Sequence, residues 1–188
     1  MKTVKLALAA LLVLSSVTTY AQKKEIKTED SKIVWTGKKI AGSHTGEIEL
    51  KDGYLVLEKG KLSGGKFVID MNSITNTDLE DEGYNAKLVG HLKSDDFFGV
   101  EKYPTSEFVI TKVSEQSDDK VKVSGTLTIK GKSEDISFDA VKKGKGYTAQ
   151  IEVDRSKFDV RYGSGSFFDN LGDKAIDDIF ILDIDLAI

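Results

Sequence analysis

The chain has 188 residues, 39% hydrophobic and 31% charged, with a formal net charge of −4, two histidines, one proline and no cysteine. That is enough chain for one domain with a substantial core. Its acid excess repels phosphate backbones and argues against nucleic acid as a partner, and the lack of cysteine excludes disulfides, thiol chemistry and thiolate-held metals.

The first predicted element is an export signal. Lys2 and Lys5 precede an apolar run from Leu6 to Val17, interrupted only by Ser15 and Ser16, and Thr19-Tyr20-Ala21 follows at the place a signal peptidase reads. The run of about 12 residues falls short of the roughly 20 needed to span a bilayer. Residues 1–21 are therefore expected to be cleaved, leaving 22–188 as one domain in the periplasm or secreted, with no membrane span. Losing Lys2 and Lys5 takes the net charge from −4 to −6. No cysteine follows the apolar run, so no lipid-modified terminus is expected. Residues 22–30 are charged and read as loose.

Further along, Ile48 and Leu50 alternate with Glu47, Glu49 and Lys51, and Asp52-Gly53 has the composition of a tight hairpin turn. From residue 82 to 94, Tyr84, Leu88 and Leu92 recur at helical spacing, predicting a helix that lies across the mouth or on the side of whatever the strands build. Beyond it the period is two. Val121, Val123, Gly125, Leu127 and Ile129 form one apolar row, Ile136, Phe138 and Ala140 a second, Tyr147, Ala149, Ile151 and Val153 a third, and Leu182, Ile184, Leu186 and Ile188 a fourth. Loops are expected at Ser117-Asp118-Asp119 and over Lys142–Gly146. With no crossover helices after residue 105, a parallel βαβ sheet is excluded and a meander favoured. The predicted fold is all-β, an antiparallel barrel of about eight strands with one inserted helix, because closure removes the exposed edges of such a meander.

Five blocks then carry a resemblance. They are Trp35-Thr36-Gly37 with His44-Thr45-Gly46, the run from Gly65 to Ile74, the stretch His91–Phe98 followed by Lys102-Tyr103-Pro104-Thr105-Ser106-Glu107-Phe108, the G-x-L-T-x-x-G match over Gly125–Gly131, and the R-x-x-F-x-V match within Asp154–Val160. In this order they resemble the YceI-like family, periplasmic proteins with a lipocalin-like barrel that hold polyisoprenoid or similar long-chain lipids. The resemblance implies non-enzymatic binding, transport or sequestration of a polyisoprenoid, fatty acid or fatty amide, a link to stress response, and no cofactor beyond that lipid. The segment Asn76–Gly83 is more acidic than the family pattern and would shape the barrel entrance.

A lipid site needs an apolar bore, and barrels of about eight strands sit between solid packing and room for one small ligand. The expected lining is Trp35, Phe67, Ile69, Phe108, Ile110, Leu127, Ile129, Phe138 and Ile151, with Leu88, Leu92, Phe97 and Phe98 as a lid. Each is equally at home in an ordinary core. His91 could orient a headgroup or serve as a structural hydrogen-bond partner. Arg155 could hold a phosphate or carboxylate in bidentate fashion, or form an exposed ion pair worth under about 1 kcal/mol.

Catalysis has little to stand on in these residues. Gly163-Ser164-Gly165-Ser166 lacks the strand-to-helix context of a nucleophile elbow. His44 and His91 lack the close spacing of a zinc motif, and Asp95-Asp96 and Asp177-Asp178 lack the pattern of a calcium loop. Two alternatives to a carrier stay open: an exported, stress-related interaction protein whose barrel is packed solid, and a hydrolase or isomerase acting on the bound lipid. A monomer and a homodimer fit these residues equally.

Overall fold

The computed structural model describes residues 21–40, 42–117 and 119–188. The expected export signal lies outside the described residues except for Ala21, as does Asp118 of the predicted loop. The strands are β1 (Gln22–Glu25), β2 (Lys32–Lys39), β3 (Gly42–Glu47), β4 (Glu49–Glu58), β5 (Lys61–Asp70), β6 (Thr105–Glu115), β7 (Lys120–Ile129), β8 (Lys132–Lys143), β9 (Gly146–Asp154) and β10 (Ile176–Leu186). One helix, α1 (Glu82–Lys93), separates β5 from β6, within the range its periodicity predicts.

All pairings are antiparallel, in the order β1-β4-β5-β6-β7-β8-β9-β10-β2-β3. The strands from β4 to β10 form the expected meander. Ten strands appear where about eight were expected because two staves are broken along their length. β1 and β2 run in line beside β4 and β3, and β3 and β4 are separated only by Ile48, whose N–H donates to Ile33 O at 3.1 Å. Since β2 also pairs with β10 and β4 with β5, these two staves join the ends of the meander, and the sheet curls back on itself. Elsewhere the curl is incomplete. The β8–β9 ladder runs only from Ala140↔Ala149 to Lys143↔Gly146, so among the described residues Lys132–Asp139 has no strand partner on the side away from β7.

Two sequence expectations change here. Asp52-Gly53 is not a turn: it lies inside β4, where a register shift between Leu50 and Asp52 marks a bulge, and Asp52 Oδ1 accepts from the Gly53 N–H at 2.8 Å. The hairpin falls instead at Lys59-Gly60, with φ of 52° and 79°, the left-handed pair that a two-residue turn requires. Residues 22–30 are not loose either. β1 pairs with β4, Ile26 is buried, and the Lys23 ammonium sits 4.1 Å from the centre of the Tyr54 ring.

Helix α1 starts where the Asp81 carboxylate accepts from the Tyr84 N–H at 2.9 Å, a side-chain cap that satisfies one of the free amides of the first turn. It ends at Ser94, whose N–H and hydroxyl both donate to His91 O. The predicted apolar stripe is only partly used: Leu92 is buried and Leu88 half-buried, while Tyr84 is exposed. The inward rows of the strands supply most of the core, and there Phe67 stacks on Phe108 at 6.3 Å and Phe108 meets Phe138 at 5.5 Å. Gly125 makes room for this cluster, since a Cβ there would lie 2.6 Å from the Phe108 ring and 2.3 Å from Val109 O.

Candidate ligand cavity

Inside the curled sheet lies a cavity of about 200 Å³. One water needs roughly 10–15 Å³, so the inward side chains do not meet from wall to wall. The lining contains Trp35, Phe67, Ile69, Phe108, Ile110, Leu127, Ile129, Phe138 and Ile151, together with Leu92, Phe97, Phe98 and Arg155. Leu88 and His91 are absent from it. Leu88 packs against the core without reaching the space, and the His91 ring is held between Tyr162 at 4.3 Å and Phe97 at 5.7 Å, with its Nε2 buried and without a hydrogen-bond partner.

The wall also includes residues not singled out by sequence, among them Ile33, Leu50, Leu55, Met71, Val123, Ile176 and Phe180. Alternation in the last strand already marked Leu182 and Ile184 as sharing one face. Phe180 continues that row, and its ring lies 6.4 Å from Phe98. Ser106, Tyr147, Thr148, Arg155 and Asp177 bring polar chemistry to the wall. Trp35 turns its indole N–H away to Thr75 O at 3.0 Å. Ile136 and Phe138 line the cavity yet are only half-buried, because they lie on the part of β8 that has no β9 partner.

Arg155 corrects the expectation of an exposed ion pair or a headgroup clamp. It is 2% exposed, and its donors are spent within the chain: Nε on Asp177 O at 3.0 Å, Nη1 on Val160 O and Tyr162 O at 2.9 Å each, and Nη2 on Ile176 O at 2.9 Å. Nη2 also faces Asp178 Oδ1 at 3.5 Å, an ionic contact too long for a hydrogen bond. Burial pushes the Asp178 carboxyl up, but Ser164, Ser166 and the Arg155 charge outweigh it and hold the group below its ordinary range. The guanidinium thus bolts the 155–162 turn to the start of β10, and the Nη2 N–H not bonded to Ile176 O faces the Asp178 carboxylate.

The acidic segment that departs from the family pattern forms a strap along β3. Thr75 N–H donates to Glu47 O and Thr77 N–H to Thr45 O, both at 3.0 Å. Asp78 accepts from the Thr45 N–H at 2.9 Å and faces His44 Nδ1 at 2.9 Å, and Asn76 also donates to it. Against the opposing cost of burial, these bonds hold the Asp78 carboxyl below its ordinary value. The strap comes so close that a Cβ at Gly46 would lie 1.9 Å from Thr75 O. His44 is thereby committed to the strap and His91 to its aromatic neighbours, and among the described residues no three His, Cys, Asp or Glu side chains converge as a metal site would require. No helix among the described residues is long and apolar enough to cross a membrane.

A family model of the YceI-like domain matches residues 25–188. The chain belongs to the YceI-like family. An uncharacterised-family (UPF0312) protein of Shewanella denitrificans is 30% identical over 95 residues, covering 50% of this chain and 47% of that protein; the chain spans about half the length of the curated relatives it matches. Among solved structures, a Campylobacter jejuni YCEI protein is 27% identical with a TM-score of 0.51, covering 68% of this chain and 72% of its own. Burkholderia cenocepacia BcnA shares the fold at TM-score 0.63 and 24% identity, over 86% of this chain and 98% of that one. A polyisoprenoid-binding domain from Saccharophagus degradans shares it at TM-score 0.60 and 15% identity, over 89% and 97%. The lipocalin-like YceI fold read from the five sequence blocks is therefore the fold this chain adopts.

Proposed function

We propose that this YceI-like chain binds, and so carries or sequesters, one slim long-chain apolar molecule without transforming it. The observation that supports this reading is the cavity of about 200 Å³ with an almost wholly apolar wall. A solid-packed interior, the competing expectation, is at odds with that space. Size constrains the guest, since ligand pockets commonly enclose about 300–1,000 Å³; a single chain suits this bore better than a bulky ring system.

Energetics constrain its length. Burying a CH₂ contributes about 0.8 kcal/mol, association costs at least about 4 kcal/mol, and micromolar affinity requires about 8 kcal/mol net. On those figures roughly fifteen buried carbons are needed. Isoprenoid or fatty chains meet that requirement, and the similarity in fold to the polyisoprenoid-binding domain from Saccharophagus degradans points the same way. The export signal expected over residues 1–21 is what puts the periplasm or the cell exterior into this proposal.

The test is native mass spectrometry of protein purified from the compartment to which it is exported. A bound mass that solvent extraction recovers as a long-chain lipid is the expected result. A spectrum of bare polypeptide with nothing extractable would count decisively against carriage.

A further inference from the structure

We propose that Ser106 forms a hydrogen-bonding subsite within the cavity, selecting chains that carry a hydroxyl or carbonyl oxygen over plain hydrocarbons. The inference rests on the carrier reading above and adds to it the chemical class of the guest. Along β6 the inward positions are 106, 108 and 110; Phe108 and Ile110 fill theirs with apolar bulk, whereas 106 holds a hydroxyl. Ser106 is only 4% exposed, lines the cavity, and sits in register opposite Ile69 of β5, itself a wall residue.

Its Oγ donates to Met71 Sδ at 2.9 Å, and a thioether is a weak acceptor. A hydroxyl so placed has most of its hydrogen-bonding capacity unused in an apolar wall, where an unsatisfied polar group is costly. A guest oxygen within reach would accept from Ser106 far better than sulfur does, and a pure hydrocarbon would leave the hydroxyl as it stands. The other polar wall residues are differently placed: Arg155 is engaged by four carbonyls and Asp178, Asp177 is exposed, and Tyr147 and Thr148 belong to β9, a different stave from the β5–β6 pair.

The experiment compares farnesol with the hydrocarbon farnesene as competitors for a slim fluorescent polyene fatty acid, cis-parinaric acid, in the cavity, using the wild-type chain, Ser106→Ala and Met71→Leu. Wild type is expected to prefer the alcohol. Ser106→Ala should weaken farnesol roughly two- to tenfold, the worth of one net hydrogen bond, with farnesene nearly unchanged. Met71→Leu, a volume-conserving swap, should keep or widen the preference because it removes the sulfur and leaves the hydroxyl. Urea melts that superimpose on wild type establish that both variants fold. Equal losses for both compounds in Ser106→Ala, or an unaltered preference, overturn the subsite while leaving the carrier reading intact. Failure of both compounds to displace the probe from wild type overturns the carrier reading and the subsite with it.

Discussion

Arg155 shows how far a side chain's role can lie from its local sequence. Four main-chain carbonyls, from residues 160, 162, 176 and 177, receive its N–H groups, and Asp178 supplies the counter-charge. Arg155→Met should strand those acceptors and leave Asp178 without its cation, costing about 3–5 kcal/mol, read as a lowered urea midpoint. Asp78 provides a pH-dependent counterpart. Because its carboxyl lies below the ordinary value of 3.8 in the folded chain, its contribution to stability is complete above that value and fades as pH falls through the lower folded one. The wild-type midpoint should therefore drop more steeply below about pH 4 than that of Asp78→Asn, and parallel acid profiles would contradict this. Alternation marked Phe108, Ile110, Leu127 and Ile129 as inward residues correctly. It could not foresee Arg155, because the bonding partners lie up to 22 residues away and are backbone atoms common to any sequence.

Among the elements, strands were more legible than the helix. A period of two fixes which face of a strand turns inward, and curling the sheet gives every inward row the same destination. Helical spacing in α1 locates the element but not its contacts, so Leu88, expected in the lid, and His91, expected to orient a headgroup or bond structurally, both stand away from the cavity, His91 with its Nε2 unpartnered. The Asp52-Gly53 pair misled for a related reason: a bulge and a turn both draw on Asp and Gly, and only the pairing of β4 with β5 separates them. The strap is an element that pattern does not reveal, since its ties to β3 are backbone bonds, a buried asparagine and the Asp78 carboxylate, joined to residues some thirty positions away. Gly46 is its most sensitive neighbour. Gly46→Ala should lift the strap from β3, visible as faster amide exchange at Thr75 and Thr77 with the ladder of β7 and β8 unaffected.

For the molecule as a whole, the decisive property is that its interior is not filled. Enlarging a wall residue should therefore be tolerated where it would strain a packed core. Ala149→Leu is expected to leave the unfolding free energy unchanged or raise it by up to about 2 kcal/mol, read from the urea midpoint, while reducing the fraction of protein that carries lipid in native mass spectra. Destabilisation with normal lipid content would reverse that expectation. A series of straight-chain fatty acids offers a second measurement, with affinity climbing per added carbon until the bore is full and then levelling off.

The parting of β8 from β9 has a consequence of its own. Along Lys132–Asp139, the peptide groups that point away from β7 have no neighbouring strand among the described residues, which sets a seam without ladder bonds beside an apolar chamber. A greasy tail slipping in between Phe138 and Ile151 would break no ladder bond on its way. Entry from the flank thus costs less than prising open any other joint between staves, and a covalent clasp engineered across that seam should slow loading without altering what is finally held.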